Sequence, residues 1–273
     1  MLLVIFTGIP ALLMARPLPD PARALMTLLG IGLAAASAAC FNHYLDRDID
    51  RLMRRTARRP LPSGLLPPSH ALGLGFGLAA LSWLVLVTWA NVLAAVIGQL
   101  SIVYYAVVYT AWLKRRTPQN IVIGGGAGAS APLIAWAAVT GRIEVAAVLL
   151  AAIVFFWTPP HFWALALYRS EDYARAGIPM LPVTHGEAET RRQILIYSLV
   201  LVPITLALAP LGATGPVYWV PAAVMGASFV YFADRLRRSA AIPDAIHLFR
   251  YSILYLFMLF VFLTADACVR MAR

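Results

Sequence analysis

Apolar residues run along this chain in long unbroken stretches, and polar residues gather between them. A helix needs roughly 20 mostly apolar residues to cross a bilayer. The runs near 2–15, 22–41, 71–90, 92–113, 119–139, 144–168, 193–212, 215–233 and 248–268 therefore predict about nine transmembrane helices. An outer-membrane barrel would show alternation instead. The expected fold class is all-α, a polytopic membrane bundle. It forms a single membrane-embedded domain over residues 1–273, since no linker or soluble segment interrupts the pattern. The first run is short and no basic segment precedes it, so it does not read as a secretory signal. It reads as a spanning helix whose beginning lies outside this chain.

Composition sharpens the picture. Hydrophobic residues make up 61% and charged residues 12%, half the usual ~25% of soluble proteins. A water-soluble fold and a disordered chain are both excluded. The net charge of +10 suggests loop bias and not a nucleic-acid partner. With the N-terminus placed in the cytoplasm, seventeen of the 22 Lys and Arg residues fall in or beside inside loops. That asymmetry predicts a multi-pass membrane protein with its charged loops on the cytoplasmic side, and the cell inner membrane is its expected location. Cys40 and Cys268 lie far apart in apolar stretches and read as small core residues.

Ionisable groups at a membrane are costly, so their placement points to chemistry. One inside loop carries Asn42, Asp46 and Asp50 at i, i+4 and i+8, which on a continuing helix share one face while Asp48 points away. Three acids within five residues repel one another unless a cation relieves them. Hard oxygen ligands at this spacing suit Mg²⁺, which keeps waters and bridges carboxylates to phosphates. Arg54, Arg58 and Arg59 follow as candidate phosphate ligands. The alternative is a solvated helix end with pairs such as Asp50 and Arg54. In a second inside loop Tyr168 and Asp172 stand at i, i+4, again at a helix end. Two such half-sites facing each other across a cavity can hold a diphosphate through Mg²⁺. Lys114, the only lysine, and Arg115 form a third candidate anion clamp, although the positive-inside rule also explains them. Gly124, Gly125, Gly126 and Gly128 suit close helix packing, because no strand precedes them to make a phosphate loop.

The pattern Asn42-x-x-x-Asp46-x-x-x-Asp50, the helix count and the second acidic site resemble the UbiA-type intramembrane prenyltransferases. Three stretches are similar to the branch of that family that farnesylates haem. These are Asp48 to Asp50 with Arg55-Thr56-x-x-Arg59-Pro60, then Pro160 to Ala166, then Asp172-Tyr173 with Ala176 to Val183. The similarity runs through most of the chain. It implies the UbiA prenyltransferase fold and transfer of the farnesyl group of farnesyl diphosphate to a vinyl group of haem B, giving haem O and diphosphate. Mg²⁺ would be held by Asn42, Asp46, Asp50 and Asp172, with the lipid bilayer, haem A synthase or a terminal oxidase as partners. His161 then becomes a candidate contact to haem iron or a propionate, the alternative being a hydrogen-bonded helix histidine. Phe155, Phe156, Trp157 and Tyr168 are candidates to steady an allylic cation.

Two departures stand out. The family's usual start, a cytoplasmic segment with a Lys-Pro entry into helix one, is absent, which suggests a truncated chain or a wrongly chosen start. Quinone-type relatives have Asp-x-x-x-Asp at the second site, whereas here Tyr168 takes the first position. That favours haem over the rival acceptors, a quinone or chlorophyll precursor. A secondary transporter would carry charges near the bilayer midplane, and the middles of these runs are nearly charge-free.

Overall fold

The computed structural model describes residues 2–272, and among these every regular element is a helix. Thirteen α-helices occur. These are α1 (Leu2–Met14), α2 (Pro21–Leu45), α3 (Arg47–Leu52), α4 (Pro68–Trp89), α5 (Val92–Val103), α6 (Asn120–Gly128), α7 (Ser130–Thr140), α8 (Val145–Tyr168), α9 (Ser170–Arg175), α10 (Leu181–Thr184), α11 (Gly186–Leu206), α12 (Pro216–Ser239) and α13 (Ile242–Met271). A π-helical segment, Tyr104–Leu113, continues α5, and α6 with α7 makes one interrupted rod. Nine rods thus stand where nine apolar runs stand in the sequence. Seven of them are long and apolar enough to cross a membrane. The 13-residue α1 is shorter, and α11 is not among the seven, its first turns holding Glu187, Glu189, Arg191 and Arg192.

Several helices outrun the hydrophobic stretch that announces them. The run near 248–268 lies inside the 30-residue α13, and the run near 215–233 ends six residues before α12, which continues to Ser239. Polar turns such as Asp244 to His247 stay helical once the apolar part is docked, and hydropathy does not register them. The run near 193–212 is shifted in the opposite sense: α11 starts at Gly186 and stops at Leu206. Cys268 is a correction, since it is exposed on α13 and not part of the core.

The rods close into a ring. α2 packs on α4, α4 on α5, α5 on α7, α6 and α7 on α8, α8 on α11, α11 on α12, α12 on α13, α13 on α1, and α1 returns to α2. Lipid tails are as apolar as leucine, so close packing and hydrogen bonds hold such helices together. Ser37 donates to the Gly75 carbonyl and Ser82 to the Gly30 carbonyl, each at 2.8 Å, stitching α2 to α4. Interhelical bonds of this kind average about 0.6 kcal/mol. A Cβ at Gly30 would lie 2.6 Å from the Leu86 side chain, so only glycine permits this approach. At the end of the ring away from the acidic loops, Arg23 donates to the carbonyls of Ala138 and Ala90. Leu74, Phe76, Leu81 and Leu84 of α4 remain exposed, as expected of a face turned to lipid.

Candidate active site

The acidic motif sits where α2 gives way to α3. The helix does not run straight through, because Asp46 (φ −90°, ψ 1°) is a joint between the two. The i, i+4 register nevertheless persists: Asp46 N–H donates to the Asn42 carbonyl at 2.9 Å and Asp50 N–H to the Asp46 carbonyl at 2.8 Å. The row therefore points one way. The Asp46 side chain is 1% exposed and that of Asp48 59%.

Each buried acid of this row has a cation. Lys114 Nζ donates to Asp46 Oδ2, which also accepts from Asn42 Nδ2 at 2.7 Å. Arg59 Nη1 reaches Asp50 Oδ2 at 2.8 Å. Thr56 Oγ1 donates to the Asp50 carbonyl at 2.9 Å and folds the arginine loop back over the helix end. Burial pushes the Asp46 carboxyl above its ordinary range, with Lys114 opposing. Its other oxygen, Oδ1, is buried with no hydrogen-bond partner.

The π segment delivers Lys114. Its N–H donates to the Tyr109 carbonyl five residues back, and Thr110 Oγ1 donates to the Tyr105 carbonyl with the same spacing. Wide turns of this kind favour functional sites. Here they bring Tyr105, Tyr109, Thr110 and Lys114 along one side, with Asn42 Nδ2 donating to Thr110 Oγ1 at 3.2 Å. A Cβ on Gly124 would lie 2.3 Å from the Tyr109 ring, so α6 approaches this segment only because it is glycine-rich.

The second loop folds against the first. Ile49 and Met53 pack in one buried cluster with Ile121, Tyr173, Ile178 and Met180. Asp172 is buried, Glu171 is exposed, and half-buried Tyr168 sets its ring edge-on to Phe249 at 6.0 Å. Arg175 lies 3.5 Å from Asp172. Burial raises the Tyr173 phenol, with Arg55 and Lys114 opposing and Tyr168 and Asp172 adding to the rise. Charges from both loops thus meet at this one hydroxyl.

Asn42, Asp46, Asp50, Arg59, Lys114, Tyr168 and Asp172 therefore gather at one end of the bundle. Arg115 does not join them. It turns outward in a two-pronged pair with Asp48, at 2.6 and 2.7 Å. Arg54 and Arg58 are exposed and form no ion pair among the described residues. Arg55 is likewise exposed and unpaired among the described residues, and its charge only opposes the rise of the Tyr173 phenol. Tyr105, Tyr109 and Thr110 carry no signal in the sequence, being ordinary members of an apolar run.

Beside this charged end lies an apolar cavity of about 400 Å³, walled by Tyr105, Trp157, Thr158, His161 and Phe162 and by small residues such as Ala34, Ala38 and Gly125. Phe162 also packs on the cluster that joins the two loops, so cavity and charged end share a wall. Phe155 and Phe156 are not in that wall; they pair with each other, and Phe156 with Tyr197.

Residues 1–263 match the UbiA prenyltransferase family. The chain belongs to that family. A relative from Azorhizobium caulinodans named Protoheme IX farnesyltransferase is 51% identical over 99% of this chain and 89% of its own length. Another of that name from Roseiflexus sp. is 50% identical over 92% of this chain, which spans only 47% of that longer protein. Among solved structures, a digeranylgeranylglyceryl phosphate synthase superposes with a TM-score of 0.81 at 18% identity, covering 98% of this chain and 93% of that one. A UbiA homolog from Archaeoglobus fulgidus bound to GPP and Mg²⁺ gives 0.64 at 17% identity, covering 96% and 94%. At these identities the two structures establish the shared fold.

The arrangement sets a charged end beside an apolar chamber. Among the described residues no three His, Cys, Asp or Glu side chains converge to cage a metal unaided. Mg²⁺ rarely takes such cages; it keeps waters and shares one or two carboxylates with substrate phosphates. The hard-oxygen donors and the orphaned Oδ1 of Asp46 fit that mode.

Proposed function

We propose that this chain transfers the farnesyl group of farnesyl diphosphate to a vinyl group of haem B, yielding haem O and diphosphate. The observation that carries the reading is the packing of the loop bearing Asp46 and Asp50 against the loop bearing Asp172, next to an apolar cavity. Identity near 50% to proteins named Protoheme IX farnesyltransferase supports haem as acceptor. In this reading Asn42, Asp46, Asp50 and Asp172 hold Mg²⁺. When bound, the metal would offset charge on the diphosphate oxygens. Lys114 and Arg59 stabilise the charge that builds on the leaving group, usually the largest contribution to catalysis. The allylic C1–O bond breaks, the vinyl carbon takes C1, and water adds to the resulting cation with loss of a proton. Until then the cavity wall excludes water, and Trp157 and Tyr105 offer ring faces to the cation.

The bilayer houses the enzyme, with the arginine-rich loops in the cytoplasm of an inner membrane, and haem A synthase or a terminal oxidase receives the product. Membranes containing the protein, supplied with haem B, farnesyl diphosphate and Mg²⁺, are expected to yield haem O on pigment extraction. Prenylation of 4-hydroxybenzoate with haem left untouched would replace this reading with the quinone-precursor one.

A further inference from the structure

His161 lies on α8 seven residues before Tyr168, about 10 Å along the axis from the acidic end. It is 8% exposed. Trp157 stacks on its ring at 4.3 Å between centroids and 18°, and Phe249 of α13 at 4.7 Å and 22°. Trp157 and Phe249 form no ring pair with each other among the described residues, so they cover opposite faces of the imidazole. Only its edges remain.

One edge is fixed. His161 Nδ1 lies 2.7 Å from Ser252 Oγ, which is 2.6 Å from the Phe249 carbonyl oxygen. Two oxygens that close need a proton between them, and the hydroxyl has only one. Ser252 therefore donates to Phe249 and accepts from His161, and the imidazole proton sits on Nδ1. Trp157 Nε1 donates to the Ser252 carbonyl at 2.7 Å and ties the stacked ring to the same residue. Nε2 keeps an in-plane lone pair and makes no hydrogen bond among the described residues. With both faces and the Nδ1 edge covered, the Nε2 edge opens on the cavity that His161 helps to wall.

A neutral imidazole with one N–H anchored and the other nitrogen bare is how proteins present histidine to a metal. We propose that Nε2 of His161 is the axial ligand to the iron of the porphyrin acceptor, a proposal that rests on haem being the substrate. The ligand anchors the porphyrin in the cavity, about 10 Å along α8 from the acidic end. It also makes the enzyme prefer the iron porphyrin to the metal-free ring.

The test uses the full chain in nanodiscs, titrated with ferric haem B and, separately, with metal-free protoporphyrin IX. Wild type is expected to bind haem with the absorption and electron paramagnetic resonance signature of an imidazole ligand. His161→Ala should lose that signature, and added imidazole should restore it. Ser252→Ala leaves the ligand but frees its tautomer, and should raise the haem Kd about 10- to 100-fold; it also carries the test if His161→Ala does not fold. A wild-type spectrum retained in His161→Ala, or equal binding of both porphyrins by wild type, overturns the proposal. Haem O formation is followed in parallel. Conversion with an unchanged His161→Ala spectrum sinks the ligand alone, whereas a wild type that neither binds nor farnesylates haem sinks the acceptor assignment and the ligand with it.

Discussion

Asp46 and Asp48 are two residues apart, and the structure gives them opposite consequences. Asp46 is 1% exposed and takes hydrogen bonds from Lys114 and Asn42, while Lys114 itself is only 16% exposed. Removing one partner of a buried pair leaves the other charge uncompensated, at about 3–5 kcal/mol. Lys114 keeps some water, so Asp46→Ala should cost about 3 kcal/mol, the low end of that range. Asp48 and Arg115 are 59% and 38% exposed. Pairs of that kind contribute about 0.2–1 kcal/mol, so Asp48→Ala should cost no more than this. Turnover should separate more widely. Asp46→Asn keeps the shape and an acceptor for Lys114 but removes the charge at the proposed diphosphate site, an electrostatic loss on the order of 10²–10³-fold. Asp48→Ala should stay within about fivefold, the factor that 1 kcal/mol allows. Prenyl transfer is measured at matched folded protein, with thermal melts alongside. Equal losses in Asp46→Asn and Asp48→Ala would refute the argument from the shared face.

Asp172→Asn should lower turnover by about 10²-fold and raise the Mg²⁺ requirement, while exposed Glu171→Gln should do neither; the reverse outcome in a Mg²⁺ titration would misplace the second half-site. Arg115 holds the Asp48 carboxyl below its ordinary value of 3.8. A lowered carboxylate adds stability above that value and loses it as pH falls through the folded pKa. The small melting advantage of wild type over Asp48→Asn at neutral pH should therefore close below about pH 4, and a gap unchanged down to pH 2 would count against the pair. Gly124→Ala places a Cβ 2.3 Å from the Tyr109 ring. It should cost about 1–3 kcal/mol by overpacking and reduce turnover through the row that carries Lys114; an unaltered melt and rate would show that α6 has room to move.

Much of the fold is legible in one dimension because a bilayer imposes a one-dimensional rule. Each run of about 20 apolar residues must be helical to satisfy its own backbone, and nine rods stand where the sequence places them. Their ends are less legible: the polar turns of α13 and the early stop of α11 depend on which neighbours they dock against. The same holds for Cys268, apolar in context yet exposed, since hydropathy does not distinguish a lipid-facing position from a core one.

The candidate site divides in a similar way. Spacing alone puts Asn42, Asp46 and Asp50 on one face and Asp48 on the other, because the i, i+4 register is a local property of the helix and survives the joint at Asp46. Which cations meet those acids is not local. Lys114 reaches Asp46 from 68 residues away through a π-helical stretch that no pattern in Tyr104–Leu113 announces, and Arg115, its neighbour, turns the other way. Arg55 comes within electrostatic reach of Tyr173 only when the two loops stack on Ile49 and Met180. The tautomer of His161 likewise depends on Ser252, 91 residues distant. The sequence determined the helices and the row of acids, since both follow from periodicity along the chain. The partners of those acids and the open nitrogen facing the cavity were decided by tertiary structure, because charge pairing and burial act through space between segments that no local pattern connects.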